Sequence, residues 1–186
     1  MNIPSDGIDT RAGSRRSFLY AGAGLAAALA GAGVAWHRLR PADGPSVEAA
    51  AAFWGMSFET PDAAPLAMSS LRGHPLLINF WATWCPPCVE ELPLIESFYR
   101  SHAARGWRVV ALAVDQPSAV RQFLARGPVS FPVGMAGLAG TELSRSFGNA
   151  SGGLPFTVVM APDGHVRQRK MGRLTAAELA QWAGAA

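Results

Sequence analysis

The 186-residue sequence is poor in cysteine, with two, and poor in charge, with only 16% Asp, Glu, Lys and Arg. Both cysteines, Cys85 and Cys88, sit in one Cys-x-x-Cys. This excludes a small scaffold laced by several bridges, and a disulfide between them closes too small a loop to staple a fold. Redox chemistry or half of a metal site remains. Charge of one sign is missing from most of the chain. Residues 41–186 hold 11 Lys+Arg against 11 Asp+Glu, and the net charge of +3 belongs to residues 1–40, with five arginines and two aspartates. A balanced domain lacks the basic stripe that phosphate recognition requires, which argues against a nucleic-acid partner. Apolar residues are plentiful: at 49% they suffice for a core and exclude wholesale disorder. The length allows one domain plus an extension.

Residues 1–40 read as an export signal or membrane anchor. A polar lead is followed by Ser14-Arg15-Arg16-Ser17-Phe18-Leu19 and an uncharged Ala/Gly/Leu/Val stretch from Tyr20 to Trp36. The Ser-Arg-Arg-x-Phe-Leu string is similar to the twin-arginine export consensus; a general secretory signal or a plain anchor is the other reading. As a helix, residues 20–36 reach about 26 Å against a hydrocarbon core of about 30 Å. Small-x-small sites at Ala30-Gly31-Ala32 and Ala49-Ala50-Ala51 leave cleavage and retention both open. Either outcome carries the domain to the periplasm or the outer face of the cytoplasmic membrane, held through residues 20–36 if uncleaved. Residues 41–52, with Pro41, Gly44, Pro45 and an alanine run, read as a linker.

The domain then occupies residues 53–186. Phe53 to Leu71, interrupted by Pro61 and Pro65, suits an edge strand or short hairpin and a loop. Leu76 to Trp81 is a continuous apolar run of strand length, expected of a central strand buried on both faces. A helix is expected from Pro86 to about Ala104, with Leu92, Ile95, Phe98 and Tyr99 on one side and a kink at Pro93. Strands at 107–114 and 131–135 alternate with helices at 118–126 and 141–147, and a hairpin of strands 156–160 and 165–171, turning at Pro162-Asp163-Gly164, precedes a helix at 175–182. The order gives an α/β fold: a central mixed sheet flanked by helices.

A thiol attacks only as thiolate, and Cys85 lies where the expected helix starts, among orphan N–H groups that favour an anion. Pro86 and Pro87 have no N–H, so the first loop amide able to reach the Cys85 sulfur is that of Cys88. Attack falls to Cys85, and resolution to the less exposed Cys88. A zinc site needs two more N or S ligands; no further cysteine exists, and His37, His74, His102 and His165 have no metal spacing. No metal and no cofactor is expected. Glu90 and Glu91 read as solvated acids of the helix face.

Phe80-Trp81-Ala82-Thr83-Trp84-Cys85-Pro86-Pro87-Cys88 followed by Glu90-Glu91-Leu92-Pro93, with Leu71-Arg72-Gly73-His74-Pro75 before it and Gly153-Leu154-Pro155 before a strand, resembles the TlpA/ResA/DsbE group of extracytoplasmic thioredoxin-like proteins. The resemblance runs from about Phe53 to the C-terminus. It implies a thioredoxin-like fold with an N-terminal strand extension. It also implies a thiol:disulfide oxidoreductase that reduces selected partner proteins of the apocytochrome or copper-site assembly type, and an upstream membrane electron donor of the DsbD/CcdA type. Under it Pro155 is cis and Leu154 offers backbone groups to an extended substrate, against an ordinary trans turn proline. Trp84, Pro86 and Pro87 become substrate-facing, though Trp81 and Trp84 could simply pack. Cytoplasmic thioredoxins carry a buried aspartate where this chain has Asn79. The resemblance offers Asp115, at the end of the next strand, as proton acceptor for Cys88; a cap on the helix near Ser118 is the alternative.

Two other functions fit less well. A peroxiredoxin-like peroxidase needs Thr or Ser three residues before the reactive cysteine and Pro four before that, where this chain has Ala82 and Ile78. A copper-carrying assembly module would hold Cu(I) on two thiolates and a histidine, usually at wider spacing.

Overall fold

The computed structural model describes residues 47–184; the expected export segment and the first part of the linker lie outside the described residues. In chain order the elements are α1 (Val47–Trp54), β1 (Ser57–Glu59), β2 (Pro65–Ala67), a 3₁₀ turn (Met68–Leu71), β3 (Leu76–Trp81) and α2 (Pro86–His102). A second 3₁₀ turn (Ala103–Arg105), β4 (Arg108–Ala113), α3 (Pro117–Arg126), β5 (Val133–Met135) and α4 (Ala139–Ser146) follow, and then β6 (Phe156–Met160), β7 (Val166–Met171) and α5 (Ala176–Gly184).

One seven-stranded sheet has the order β2-β1-β5-β4-β3-β6-β7. Strands β3, β4 and β5 run parallel, while β6 and β7 turn back antiparallel on one side. On the other side β1 joins β5 through the single antiparallel pair Glu59↔Met135 and pairs with β2 over three positions. The N-terminal strand extension is therefore a hairpin, with Pro61 in its turn and Pro65 opening the edge strand, where a missing N–H costs no ladder bond.

Every side chain of β3 is buried, and the period of two divides them between two cores. Leu76, Ile78 and Phe80 join Phe53, Met68, Val110, Leu112, Phe147 and Val158 on one face. Leu77 and Trp81 join Val109, Ala111, Val159, Leu92, Ile95, Val120 and Leu179 on the other, together with both cysteines. The run of six apolar or neutral residues follows from this two-sided burial.

One expectation changes. Residues 47–52, read as tether, are helical: alanine is the best helix former, and the helix delivers Phe53 and Trp54 to the core. Helix α2 runs through Pro93 over nearly the expected span, with no N–H at that position to bond the Val89 carbonyl.

Candidate active site

Strand β3 ends at Trp81 and the chain turns through Ala82-Thr83-Trp84 into α2, whose N-cap is Cys85 and whose first two positions are Pro86 and Pro87. Proline suits these positions because their N–H groups have no partner within the helix. Cys85 and Cys88 are joined by a disulfide, with their Cα atoms 5.3 Å apart. Cys85 keeps 5% of its surface exposed and Cys88 none, in the order expected. The Cys88 amide does not reach the Cys85 sulfur. It donates to the Cys85 carbonyl at 3.0 Å, and the Val89 amide does the same at 3.1 Å, because helix closure takes the first available N–H groups.

Trp84 stands 65% exposed beside the pair, with Pro86 and Pro87 also exposed, so Trp84 is not core filler, whereas Trp81 is wholly buried. The register Phe80↔Phe156 brings the start of β6 to the same end of the sheet. Leu154 and Pro155 lie just before that strand, joined by a cis peptide bond, and Leu154 packs on the core that holds the cysteines. Cys85, Cys88, Trp84, Pro86, Pro87, Leu154 and Pro155 thus come together at one rim.

Glu91 overturns its reading as a solvated acid. It is fully buried, accepting hydrogen bonds from Asn79 Nδ2 at 2.7 Å and from the Leu174 amide at 2.8 Å. Asn79 Nδ2 also donates to Thr157 Oγ1 at 3.0 Å. Burial raises the carboxyl pKa, outweighing the Leu174 and Asn79 hydrogen bonds and the Arg173 charge that lower it. Glu91 follows Cys88 by three residues, so the two buried groups occupy the same face of α2 one turn apart. The signal was in the sequence: the stripe Leu92, Ile95, Phe98 extended back by one turn lands on Cys88 and Glu91. The buried carboxyl that cytoplasmic thioredoxins carry on the strand is here supplied by the helix, against Asn79. Glu90, by contrast, is exposed and pairs with Arg173 at 2.6 Å.

Asp115 lies against the turn that precedes Cys85. Its Oδ2 accepts from the Thr83 amide at 2.8 Å and the Thr83 hydroxyl at 2.6 Å, and its Oδ1 accepts from the Gln116 amide at 2.7 Å. Burial raises its pKa, but these three bonds outweigh that and hold it below the ordinary aspartate value. Its side chain does not cap α3, since Gln116 is the N-cap there. What Asp115 does is fasten the turn that leads into Cys85. The peroxidase positions Ala82 and Ile78 are buried apolar side chains. Among the described residues, no three His, Cys, Asp or Glu side chains gather as a metal would need.

Residues 46–181 match the Redoxin family model. The chain belongs to the Redoxin family. Among curated relatives, the thiol-disulfide oxidoreductase ResA of Bacillus anthracis is 30% identical over 61% of this chain and 64% of its own length. The match thus spans just under two thirds of that relative. Among solved structures, MTB dsbF is 29% identical with a TM-score of 0.62, covering 72% of this chain and 96% of its own. The thioredoxin-related protein from Neisseria meningitidis serogroup B is 30% identical with a TM-score of 0.62, over 70% and 97%. The Redoxin chain accordingly has a thioredoxin-like fold, with the Cys85–Cys88 pair at the rim where its parallel strands end.

Proposed function

We propose that this Redoxin protein is an extracytoplasmic thiol:disulfide oxidoreductase that reduces disulfides of particular partner proteins, of the apocytochrome or copper-site assembly type. The observation that carries the reading is a cysteine pair at a helix start, with an exposed tryptophan and two exposed prolines beside it on one side and a buried, protonatable glutamate one turn away on the other. The names of the similar proteins support the reaction class, and the Ser-Arg-Arg-x-Phe-Leu string with residues 20–36 supports export.

In the reduced protein, the Cys85 thiolate attacks one sulfur of a partner disulfide, and the other partner sulfur leaves as thiolate. The mixed disulfide is broken when Cys88 passes its proton to Glu91 and attacks the Cys85 sulfur, releasing the second partner thiolate. The two partner thiolates take up protons, two electrons have moved to the partner, and Cys85–Cys88 is the oxidised product. Proton transfer is efficient when donor and acceptor pKa values approach each other, which the raised pKa of Glu91 provides and the lowered pKa of Asp115 does not. Trp84, Pro86, Pro87, Leu154 and Pro155 form the surface on which the partner chain rests. A membrane electron donor of the DsbD/CcdA type returns the disulfide to the dithiol.

The test is trapping. Cys88→Ser cannot resolve the mixed disulfide, so partner proteins are expected to stay linked to Cys85 in cells and to be recovered by mass spectrometry. Recovery of no linked protein, with the wild type inert toward dithiols and disulfides, would sink the proposal.

A further inference from the structure

The segment leading to cis-Pro155, Gly148-Asn149-Ala150-Ser151-Gly152-Gly153-Leu154, has neither helix nor strand and contains three glycines, two of them in the left-handed region at φ 99° and 67°. Such composition alone specifies a loosely held loop. The structure instead shows it bound from within by one side chain. Asn149, 1% exposed, donates through Nδ2 to the Gly153 carbonyl at 2.8 Å and to Ser144 Oγ at 3.1 Å. Its Oδ1 accepts from Ser151 Oγ at 3.1 Å, and Ser151 Oγ in turn accepts from the Gly153 amide at 3.2 Å. The main chain of Asn149 closes the cage, its N–H on the Ser144 carbonyl at 3.1 Å and its C=O accepting from Gly152 at 3.0 Å. Ser144 is anchored through its hydroxyl to Thr141 at 2.8 Å, so the cage is tied to α4.

Both polar backbone groups of Gly153 are therefore taken by side chains. The cage stops there: among the described residues neither the N–H nor the C=O of Leu154 has a hydrogen-bond partner. After the cis bond, the Pro155 carbonyl accepts from Gly172 at 2.9 Å and the sheet takes over. One residue, half-buried beside the disulfide-bearing core, is left with both groups open between two fixed ends.

We infer that Asn149 is a positioning residue that holds Leu154 ready for strand addition by an extended segment of the partner polypeptide, and so selects polypeptide disulfides over small ones. This rests on the thiol–disulfide reading above. Only a carboxamide fits the place: it donates twice and accepts once from one planar group, and all three uses are filled here. Aspartate would set a carboxylate oxygen against the Gly153 carbonyl, and leucine would leave that carbonyl and Ser144 unpaired.

The test uses the reduced full-length chain and two probes with one leaving group. One is 5,5′-dithiobis(2-nitrobenzoate), which has no peptide backbone; the other is an extended nonapeptide whose single cysteine carries the same 5-thio-2-nitrobenzoate. The wild type is expected to favour the peptide in kcat/KM. Asn149→Ala and Asn149→Asp are expected to lower the peptide-over-small-probe ratio about tenfold, mainly through KM, as misplacement of a positioned contact does. The rate on the small probe and the Cys85–Cys88 reduction potential should stay as in the wild type. Ser151→Ala, an exposed hydroxyl whose loss spares the core, is expected to lower the ratio about threefold, so a misfolded Asn149 variant does not shelter the idea. A wild type that reacts equally with both probes, or variants that keep the wild-type ratio or lose both activities together, overturn the inference and leave the oxidoreductase reading intact. A wild type inert toward both probes overturns that reading as well.

Discussion

The two faces of strand β3 receive neighbouring residues of one apolar run and use them differently. Leu76, Ile78 and Phe80 enter a core of aliphatic and aromatic side chains, where the Phe80 ring lies 6.4 Å from that of Phe147 and 6.0 Å from that of Phe156. Leu77, Asn79 and Trp81 face the redox helix, and there Asn79, Glu91 and Thr157 make a polar inset with no exposed surface. Burying polar groups is costly unless they are hydrogen-bonded, and here Asn79 Nδ2 pairs with both Glu91 and Thr157 while Glu91 also accepts from the Leu174 amide; among the described residues Asn79 Oδ1 has no partner. One face of the strand packs hydrocarbon, and the other holds a buried carboxyl one helical turn from Cys88.

The comparison breaks first at Phe80. Phe80→Ala opens the apolar face and is expected to cost about 3–5 kcal/mol in unfolding free energy by denaturant titration, with the pH profile of thiol exchange unmoved. A shifted profile would mean that the faces are not separate. Glu91→Gln works from the other face. Resolution of the mixed disulfide by Cys88 is expected to slow by about a hundredfold in single-turnover kinetics. It should also change stability against pH. Because the folded pKa of Glu91 is raised above 4.5, the native state holds its proton more tightly than the unfolded state. Its contribution is fully present below the unfolded pKa and is lost as pH rises through the folded one. The wild type should therefore lose stability across that rise, while Glu91→Gln stays flat; equal slopes would show that Glu91 titrates normally.

Asp115→Asn is the smallest expected effect. Loss of charged acceptance toward Thr83 and Gln116 should cost about 1 kcal/mol, roughly one hydrogen bond, and leave the pH-dependence of exchange in place. The sign is opposite to that of Glu91: with its folded pKa lowered, Asp115 stabilises above the unfolded value near 3.8, and that contribution is lost as pH falls through the folded pKa. A changed exchange profile in Asp115→Asn would return the proton to Asp115.

The central strand was legible because burial on both sides leaves an unbroken apolar run, and the redox pair because two cysteines three apart leave few other uses. The hairpin was legible through its prolines. Glu91 was misread because an acid on a helix is solvated far more often than not, and that expectation outweighed the stripe running straight through it. Helix α1 was misread because alanine is equally common in tethers and in helices, and only the burial of Phe53 and Trp54 decides between them. The fastening of Thr83 by Asp115 and the pairing of Glu91 with Leu174 join residues 32 and 83 positions apart, which no local pattern announces.

The rims of the sheet bear on solubility. Strand β2, at one edge, is three residues long and opens with Pro65; β7, at the other, carries Arg167, Arg169 and Lys170. Short, proline-marked or cationic edges resist the edge-to-edge growth by which sheets aggregate. On the inference that the loop at Leu154 admits a foreign strand, the molecule discourages such admission along its two borders, where the same hydrogen bonding would have no natural end.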